Sequence, residues 1–262
     1  MNVAVVPAKN EQGRIGVVLT TISKTLVEKV VVVVNGSTDN TIREIKALKM
    51  KNVDILYFRP ELGIDIPRAI GAYHAYHEGA LSVVFVDGDM IGDIASHIND
   101  LIIAIKSKNV DLAMTNCYPE LTFSNEMTEQ ILLFRSILNL KLGIYEKLKV
   151  ATPSHGPHAV SRRFLENIDF KDIAIPPVTL AFAVKQNYNV AVPTKIQQNL
   201  LGSRSRSYFH AKKITDTIIG DTIEAMNYFN GRPRQRRYLN KDYRGYHPFR
   251  RFDLLEKYMK KY

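Results

Sequence analysis

The sequence that decides the fold reads Val83-Val84-Phe85-Val86-Asp87-Gly88-Asp89-Met90, four apolar residues followed by two aspartates around one glycine. An apolar run of this length predicts a strand buried on both faces of a parallel sheet. Such a strand delivers Asp87 and Asp89 to the carboxyl edge of the sheet, where open α/β sheets bind their ligands. Two carboxylates at this spacing suit Mg²⁺ or Mn²⁺, and the alternative is a polar turn at a strand end.

The first half of the chain alternates apolar β-branched runs with helical patterns. Strands are predicted at residues 3–6, 30–34, 53–57, 83–86 and 110–114, and helices at 15–26, 41–48, 69–77 and 94–105. This alternation predicts an α/β fold with a Rossmann-like, doubly wound, mostly parallel sheet. The second half is less regular, with helices predicted at 129–147, near Ser161, from Pro176 and at 211–229, and a strand at 190–192.

Charged residues are distributed unevenly along the chain. The net charge is +10, and residues 231–262 carry eleven lysines and arginines against three acidic residues, a net +8. Because Gly231, Arg232 and Pro233 also break the last long helical pattern, they mark the best candidate boundary. We therefore predict one domain over 1–230, with a first half (1–115) and a second half (116–230), followed by a basic, aromatic-rich extension over 231–262.

The compartment is predicted from three features. Cys117 is the sole cysteine, which excludes an internal disulfide and a multi-cysteine metal site. No run approaches the roughly 18 apolar residues of a membrane span, and the sequence opens with a strand pattern in place of a signal peptide. The expectation is a soluble, cytoplasmic protein.

Two further polar segments follow the first two predicted strands. They read Pro7-Ala8-Lys9-Asn10-Glu11 and Asn35-Gly36-Ser37-Thr38-Asp39. At the carboxyl ends of adjacent strands, both would face the crevice that Asp87 and Asp89 face. Their side chains suit a nucleotide, since Glu11 and Asp39 can accept hydrogen bonds and Asn35 can pair with a base edge. The alternative is that Ser37 or Thr38 caps the second helix and that Asn35-Gly36 is a turn.

Together, the three segments resemble the signature of family 2 type glycosyltransferases with the GT-A fold. The resemblance implies that the first two segments hold a nucleotide, usually uridine, that Asp87 contacts ribose or the donor sugar, and that Asp89 is the main metal ligand. The donor-binding residues it implies are Pro7, Ala8, Lys9, Glu11, Asn35, Gly36, Ser37, Asp39, Asp87 and Gly88.

Two other segments extend the resemblance. Arg68, at the start of a predicted helix, would reach a donor phosphate or sugar hydroxyl, or else be a solvated charge. The stretch from Pro153 to Arg163 resembles the acceptor side of the family, so His155, Gly156 and His158, placed on a loop, would bind the acceptor. The alternative for the two histidines is a structural role, and neither suits zinc.

The segment from Leu200 to Lys213 resembles enzymes of the glucosyl-3-phosphoglycerate and mannosylglycerate synthase kind. The match implies that His210 joins Asp89 as a ligand of Mn²⁺ or Mg²⁺. Arg204 and Arg206 would act in catalysis by supplying positive charge to a diphosphate leaving group or an anionic acceptor. The alternatives are a capped surface histidine and solvated arginines.

One expected residue is missing. Relatives of this kind carry an acidic residue before the helix that begins at Pro176, whereas this chain has Asp169 and Asp172 farther upstream. An inverting enzyme needs a carboxylate base, so its absence favours a retaining mechanism, and the alternative is that Asp172 is the base in a displaced position.

The predicted activity is transfer of a hexose from a nucleotide diphosphate sugar, UDP-glucose before GDP-mannose, to the hydroxyl of an unknown acceptor. The alternatives are a catalytically silent nucleotide-sugar-binding or assembly module and a nucleotidyltransferase.

The basic extension allows several partners. In residues 252–262, Phe252, Leu255, Tyr258, Met259 and Tyr262 line one helical face. Docking of this face on the domain or on a second subunit of a homodimer is favoured, peripheral contact with a membrane surface is the second interpretation, and nucleic acid is the least favoured.

Overall fold

The computed structural model describes residues 1–120, 125–204 and 207–261. Within these residues, the strands are β1 (Asn2–Ala8), β2 (Lys29–Asn35), β3 (Val53–Phe58), β4 (Ser82–Phe85), β5 (Leu112–Asn116), β6 (His158–Ser161), β7 (Val190–Lys195), β8 (Arg237–Tyr238) and β9 (Lys241–Asp242). The helices are α1 (Ile15–Ile22), α2 (Thr41–Ala47), α3 (Ile66–His77), α4 (Ala95–Ser107), α5 (Glu126–Lys141), α6 (Tyr145–Leu148), α7 (Arg162–Leu165), α8 (Phe170–Ile173), α9 (Pro176–Lys185), α10 (Tyr208–Phe229) and α11 (Phe252–Met259).

In the described part of the chain, seven strands form one sheet in the order β3-β2-β1-β4-β6-β5-β7. All neighbouring pairs are parallel except those that β6 makes with β4 and β5. Strands β2 and β3 lie on one side of β1, and the chain then crosses to place β4 on the other side. The strand order therefore reverses between β1 and β4, which is where open α/β sheets form a ligand crevice.

Apolar side chains cover both faces of the sheet. Along β1, Val3 and Val5 pack into one core with α3, while Ala4 and Val6 pack into the other with α1 and α4. Continuous apolar strands such as 30–34 form because both faces are buried, as expected for a parallel sheet between helical layers. The predicted doubly wound, mostly parallel α/β fold is confirmed.

The second half departs from prediction in two places. The helix predicted at 129–147 is divided, because α5 ends at Lys141 and Gly143 takes a left-handed φ of 71° before α6. Strand β6 was predicted as a loop, since its four residues follow the glycine and proline of the 153–157 segment. Its antiparallel pairing with two strands overrides that local signal.

The basic extension packs against the body of the protein. Leu255 is fully buried within the α3 core, and Tyr258 and Met259 pack against the same core. Tyr73 donates a 2.9 Å hydrogen bond to the carbonyl of Met259, and the Tyr258 hydroxyl lies 2.9 Å from Nδ1 of His74. The predicted docking of this helical face on the domain is confirmed, except for Tyr262, which lies outside the described residues.

The part of the chain that the structure describes contains no helix with the length and apolar character needed to cross a membrane.

The buried position of Leu255 gives a first testable prediction. Leu255→Ala should lower the free energy of unfolding by about 2–4 kcal/mol, because it leaves a cavity in a packed core. Leu239→Ala is the matched control in the same extension, since Leu239 is 80% exposed, and it should change stability by less than about 0.5 kcal/mol. Urea unfolding of both variants measures the difference. Equal effects would show that α11 does not contribute to the core in solution.

Candidate active site

The two aspartates lie at the point where the strand order reverses. The amide of Gly88 donates a 3.0 Å hydrogen bond to the carbonyl of Pro7, which continues the β1–β4 ladder beyond the end of β4. A Cβ on Gly88 would lie 2.8 Å from that carbonyl oxygen, so only glycine fits without displacement. This close contact fixes the turn between Asp87 and Asp89 against the end of β1, where Pro7 and Ala8 stand.

The loops after β1 and β2 are joined by hydrogen bonds. Ser37 Oγ accepts from the amide of Asn10 at 3.0 Å, and Asp39 Oδ2 accepts from the amide of Gln12 at 3.0 Å. The buried Glu11 donates its amide to Thr41 Oγ1 at 2.8 Å. Although burial opposes it, hydrogen bonds from Thr41 and Gln12 lower the pKa of Asp39. The two predicted donor segments therefore form one rigid edge.

Asn35 holds the loop before α3, and its predicted contact with a base stays a prediction. Its Oδ1 accepts from the amide of Leu62 at 2.6 Å, and its Nδ2 donates to the carbonyl of Gly63 at 3.0 Å. The amide thus holds the loop before α3. The neighbouring Gly36 has a φ of 61°, and a Cβ there would lie 2.8 Å from Cγ of Glu61, whose carboxylate pairs with Lys9 at 2.8 Å.

The alternative role for Ser37 or Thr38, a cap on the second helix, is also not observed. Asn40 occupies the cap position of α2 without a side-chain bond, and Asp39 Oδ1 accepts from the amide of Thr41 at 3.0 Å. Ser37 and Thr38 instead bind Asn10 in the neighbouring loop.

Arg68 lies between two carboxylates. One of its nitrogens binds Asp87 and the other binds Asp65, which precedes α3 with a left-handed φ of 62°. The Arg68 side chain is 14% exposed, so the alternative of a solvated surface charge is wrong. Burial raises the pKa of Asp87, with a further increase from the nearby Asp89, while Arg68 opposes both. Arg68 orients Asp87, and its predicted contact with a donor phosphate stays a prediction.

The contact between Asp65 and Arg68 begins a longer relay of charges that runs into the basic extension. Arg250, whose side chain is fully buried, binds Asp65 at 2.9 Å and both carboxylate oxygens of Asp221 at 2.6 and 2.7 Å. Arg236 then joins Asp221 at 2.5 Å to Glu224 at 2.9 Å. Although burial opposes it, Asp221 and Asp65 raise the pKa of Arg250.

The relay ends at Asp172, the upstream candidate for a general base. Arg234 binds its carboxylate at 2.6 Å, and Arg234 also lies 3.9 Å from Glu224. Asp172 is 7% exposed, and Asp169 caps α8 through the amide of Lys171 at 2.9 Å. Both aspartates are therefore engaged in structural contacts.

The predicted acceptor residues lie on β6 and in the turn before it. His158 is buried in β6 and stacks on Phe85 with ring centroids 4.7 Å apart, so its predicted loop position was wrong. His155 stacks on Tyr118 at 5.6 Å. Gly156 has a φ of 73°, and a Cβ there would lie 2.5 Å from Sγ of Cys117. Burial, followed by the charge of Arg68, lowers the pKa of His158 to about 3.

The segment after β7 contacts the aspartate turn directly. The amide of Arg204 donates to Oδ2 of Asp89 at 3.1 Å, and its guanidinium lies 3.4 Å from the carbonyl of Asn10. Arg206 lies outside the described residues. Sequence reasoning missed Arg14, which donates to the carbonyls of Asp89, at 2.9 Å, and of Gly202. Nothing in the local pattern of the helix start distinguishes it.

His210 has the environment of an oriented ligand. It lies in the first turn of α10, which Ser207 caps, and its Nδ1 is 2.9 Å from the hydroxyl of Tyr246. Metal-binding histidines almost always use their second ring nitrogen in this way. The amide of Arg204 binds the carboxylate of Asp89, which joins this hard oxygen donor to the segment before α10. Asp89 and His210 together have the chemistry that suits Mn²⁺ or Mg²⁺.

A second cluster of potential ligands does not fit a metal. Asp221, Glu224 and His247 bring ligand atoms within 4.8 Å of one another. Arg236 and Arg250 already neutralise the two carboxylates, and Nδ1 of His247 is 3.1 Å from Arg250. A divalent cation there would face two buried guanidinium groups.

The structural role of Arg250 can be tested by replacing it and, separately, its neighbour Arg251. Arg250→Met should lower the free energy of unfolding by about 3–5 kcal/mol, because it leaves Asp65 and Asp221 buried without their shared cation. Arg251→Met is the control, since Arg251 is exposed and pairs only with Asp253 among the described residues, and it should have little effect. Chemical unfolding of both variants gives the comparison, and a stable Arg250→Met protein would contradict the relay.

The low pKa of His158 predicts how the free energy of unfolding depends on pH. Its folded pKa is about 3 and its unfolded pKa about 6.5, so the unfolded chain binds more protons between these values. Stability should therefore fall as the pH is lowered from 6.5 towards 3. His158→Phe, which keeps the stack on Phe85, should make the slope shallower by up to about 1.4 kcal/mol per pH unit. An unchanged slope in unfolding curves would mean that His158 titrates normally.

Comparisons with known proteins agree with this geometry. A family model described as glycosyl transferase family 2 matches residues 3–169. No curated protein matches the chain. Glucosyl-3-phosphoglycerate synthase from Mycobacterium tuberculosis in complex with UDP superposes with a TM-score of 0.64 at 18% identity, over 89% of this chain and 81% of that one.

Other structures of the same enzyme are similarly close. The complex with Mn²⁺, UDP-glucose and phosphoglyceric acid has a TM-score of 0.63 at 18% identity, over 89% of this chain and 80% of that one. The complex with Mg²⁺ and UDP has a TM-score of 0.64 at 19% identity, with the same coverage. At this identity the structures show the GT-A fold, and the family model covers more than half of the chain. The chain therefore belongs to glycosyl transferase family 2.

Proposed function

We propose that this protein transfers a hexose from a nucleotide diphosphate sugar to an acceptor hydroxyl in the presence of Mn²⁺ or Mg²⁺. The observation that carries the proposal is the Asp87-Gly88-Asp89 turn, which is fixed at the strand-order reversal and contacts both the donor-side loop and the segment before α10. Turns that combine two carboxylates with nearby arginines suit a diphosphate and its divalent ion.

Each part of the site has a proposed task. The joined loops after β1 and β2 hold the nucleoside, and Asn35 fixes the adjoining loop. Arg68 orients Asp87 towards ribose or the donor sugar. Asp89 and His210 would hold the ion, which when bound neutralises the charge that develops on the leaving diphosphate. Arg204, at the same edge, adds positive charge on that side.

UDP-glucose is the proposed donor, ahead of GDP-mannose. Its support is the complex of the structurally similar synthase with UDP-glucose. A retaining course is proposed because Asp169 and Asp172 are engaged in a cap and an ion pair. In such a course the donor diphosphate itself can assist the incoming hydroxyl.

A catalytically silent module with the same pocket is the second candidate. The observation that favours it is the absence, among the described residues, of an acidic side chain at the start of α9. The upstream Asp172, on α8, pairs with Arg234. Release of sugar from a donor by the purified protein would exclude it.

The proposal is tested by thermal shift and turnover with wild-type protein and Asp89→Asn. With Mn²⁺ present, UDP-glucose should raise the Tm of the wild type more than GDP-mannose does, since a bound ligand stabilises the folded state. Asp89→Asn should lose the metal-dependent part of the shift and at least about 100-fold in sugar transfer or donor hydrolysis.

Asp93→Asn is the matched control, because Asp93 is an exposed carboxylate four residues farther along the same loop. It should behave as the wild type does. Full activity of Asp89→Asn with Mn²⁺ would refute the proposed metal site. A wild-type Tm that no nucleotide sugar changes would refute the donor site.

A further inference from the structure

Arg135 is a buried cation that has no anionic partner among the described residues. It lies on α5, is 2% exposed, and its Nε has no hydrogen-bond partner in that part of the chain. Among the described residues, the guanidinium has no carboxylate near it, and it faces the ring of Tyr118 at 6.0 Å. Burial lowers the pKa of Arg135, although Tyr118 and Cys117 oppose this. Every other buried arginine described above is neutralised by at least one carboxylate.

Unsatisfied polar atoms concentrate around Arg135. Asn139 follows it by one turn of α5, and its Nδ2 donates to the carbonyls of Lys149 and Ala151, at 2.7 and 3.1 Å. That contact holds residues 149 and 151, which directly precede the 152–155 segment, against this face of α5. Buried side-chain atoms without a hydrogen-bond partner here are Nε of Arg135, Oδ1 of Asn139, Oγ1 of Thr152, Oγ of Ser154 and Nε2 of His155.

The chemistry of this cluster favours an oxyanion. A buried guanidinium and two hydroxyl groups are hydrogen-bond donors, and leaving such groups unpaired away from water is costly. Residues 121–124, which follow Tyr118 closely in sequence and lie outside the described part, are Leu-Thr-Phe-Ser and contain no carboxylate. A bound phosphate or carboxylate would satisfy these donors and neutralise the charge.

The cluster adjoins the proposed donor site. His155 stacks on Tyr118, the ring that Arg135 faces. Burial, then the charges of Arg135 and Arg68, lowers the pKa of His155 to about 3, so both guanidinium groups act on the same neutral ring. Arg68 in turn binds Asp87 of the aspartate turn.

We propose that Arg135, Thr152 and Ser154 bind a phosphate or carboxylate group of the acceptor. The inference rests on the proposed glycosyl transfer and specifies its acceptor as an anionic hydroxy compound. His155 would lie between this anion and the donor sugar, and Asn139 Oδ1 would accept from a hydroxyl group within the same pocket. The acceptor would thus be held by its charged end while its hydroxyl faces the donor.

The first test measures anion binding by thermal shift with the donor site already filled. Wild-type protein is saturated with UDP and Mg²⁺, and inorganic phosphate or acetate is added against chloride at equal ionic strength. At concentrations well above Kd, the anion should raise the Tm by about 2–4 °C. Arg135→Met should lose this shift, keep the response to UDP and Mg²⁺, and be at least as stable as the wild type without anion, because an unpaired buried charge has been removed.

Two further variants make the result decisive. Thr152→Val keeps the shape of the side chain and should weaken the phosphate response, which preserves the test if Arg135→Met does not fold. Arg43→Met is the control, since Arg43 is exposed on α2, and it should respond as the wild type does. Equal phosphate shifts in the wild type, Arg135→Met and Thr152→Val would overturn the proposal, as would a wild type that neither anion stabilises.

Turnover distinguishes the two kinds of anion and separates this inference from the proposed function. Phosphoglyceric acid, glyceric acid, glycerol phosphate and glycerol are compared as acceptors, and glycerol should be the poorest. Arg135→Met should raise KM for the preferred anionic acceptor by roughly 10- to 100-fold with a smaller change in kcat.

If glycerol is used as well as the charged acceptors, the inference about the anion site is overturned and the proposed glycosyl transfer still stands. A protein that binds phosphate through Arg135 but does not respond to any nucleotide sugar would refute the proposed function and leave the anion site standing.

Discussion

The buried guanidinium of Arg250 is the interaction on which the donor side of this protein depends. It joins Asp65, beside the aspartate turn, to Asp221 on α10, and the relay continues through Arg236, Glu224 and Arg234. Carboxylates stand at both ends, since the relay runs from Asp87 to Asp172. Buried ions must be paired to persist away from water. Each member therefore fixes the next, and the basic extension becomes part of the support of the site.

The fold was predictable from the sequence because its signals are local. Residues 30–34 and 83–86 are apolar on both faces, which is typical of strands covered by helices on two sides, and turn residues follow each of them. The same logic placed Asp87 and Asp89 at a sheet edge. Strand β6 escaped prediction because its antiparallel pairing depends on β4 and β5, which are far away in the sequence. Gly156 and Pro157 next to it indicated a loop.

The site was predicted less completely, and the reason is again sequence distance. The side-chain amide of Asn35 holds residues 62 and 63, a contact that no local pattern encodes, while its predicted contact with a base stays a prediction. His158 was expected on a loop and stacks on Phe85. The extension was expected to dock through its apolar helical face, and the structure adds that three of its arginines, at 234, 236 and 250, pair with carboxylates of the body. Net charge alone did not reveal that internal pairing.

The separation of Asp65 and Arg250 along the chain determines when the site can form. These residues are 185 positions apart, and a ribosome adding about 5–20 residues per second needs roughly 10–40 s to travel between them. By the end of this interval, all seven strands of the sheet and the glycine of the aspartate turn have been synthesised, while Asp65 still has no guanidinium from the extension. The nascent protein can therefore build its scaffold first, and the aspartate turn acquires this electrostatic support only after the last arginine of the relay has emerged.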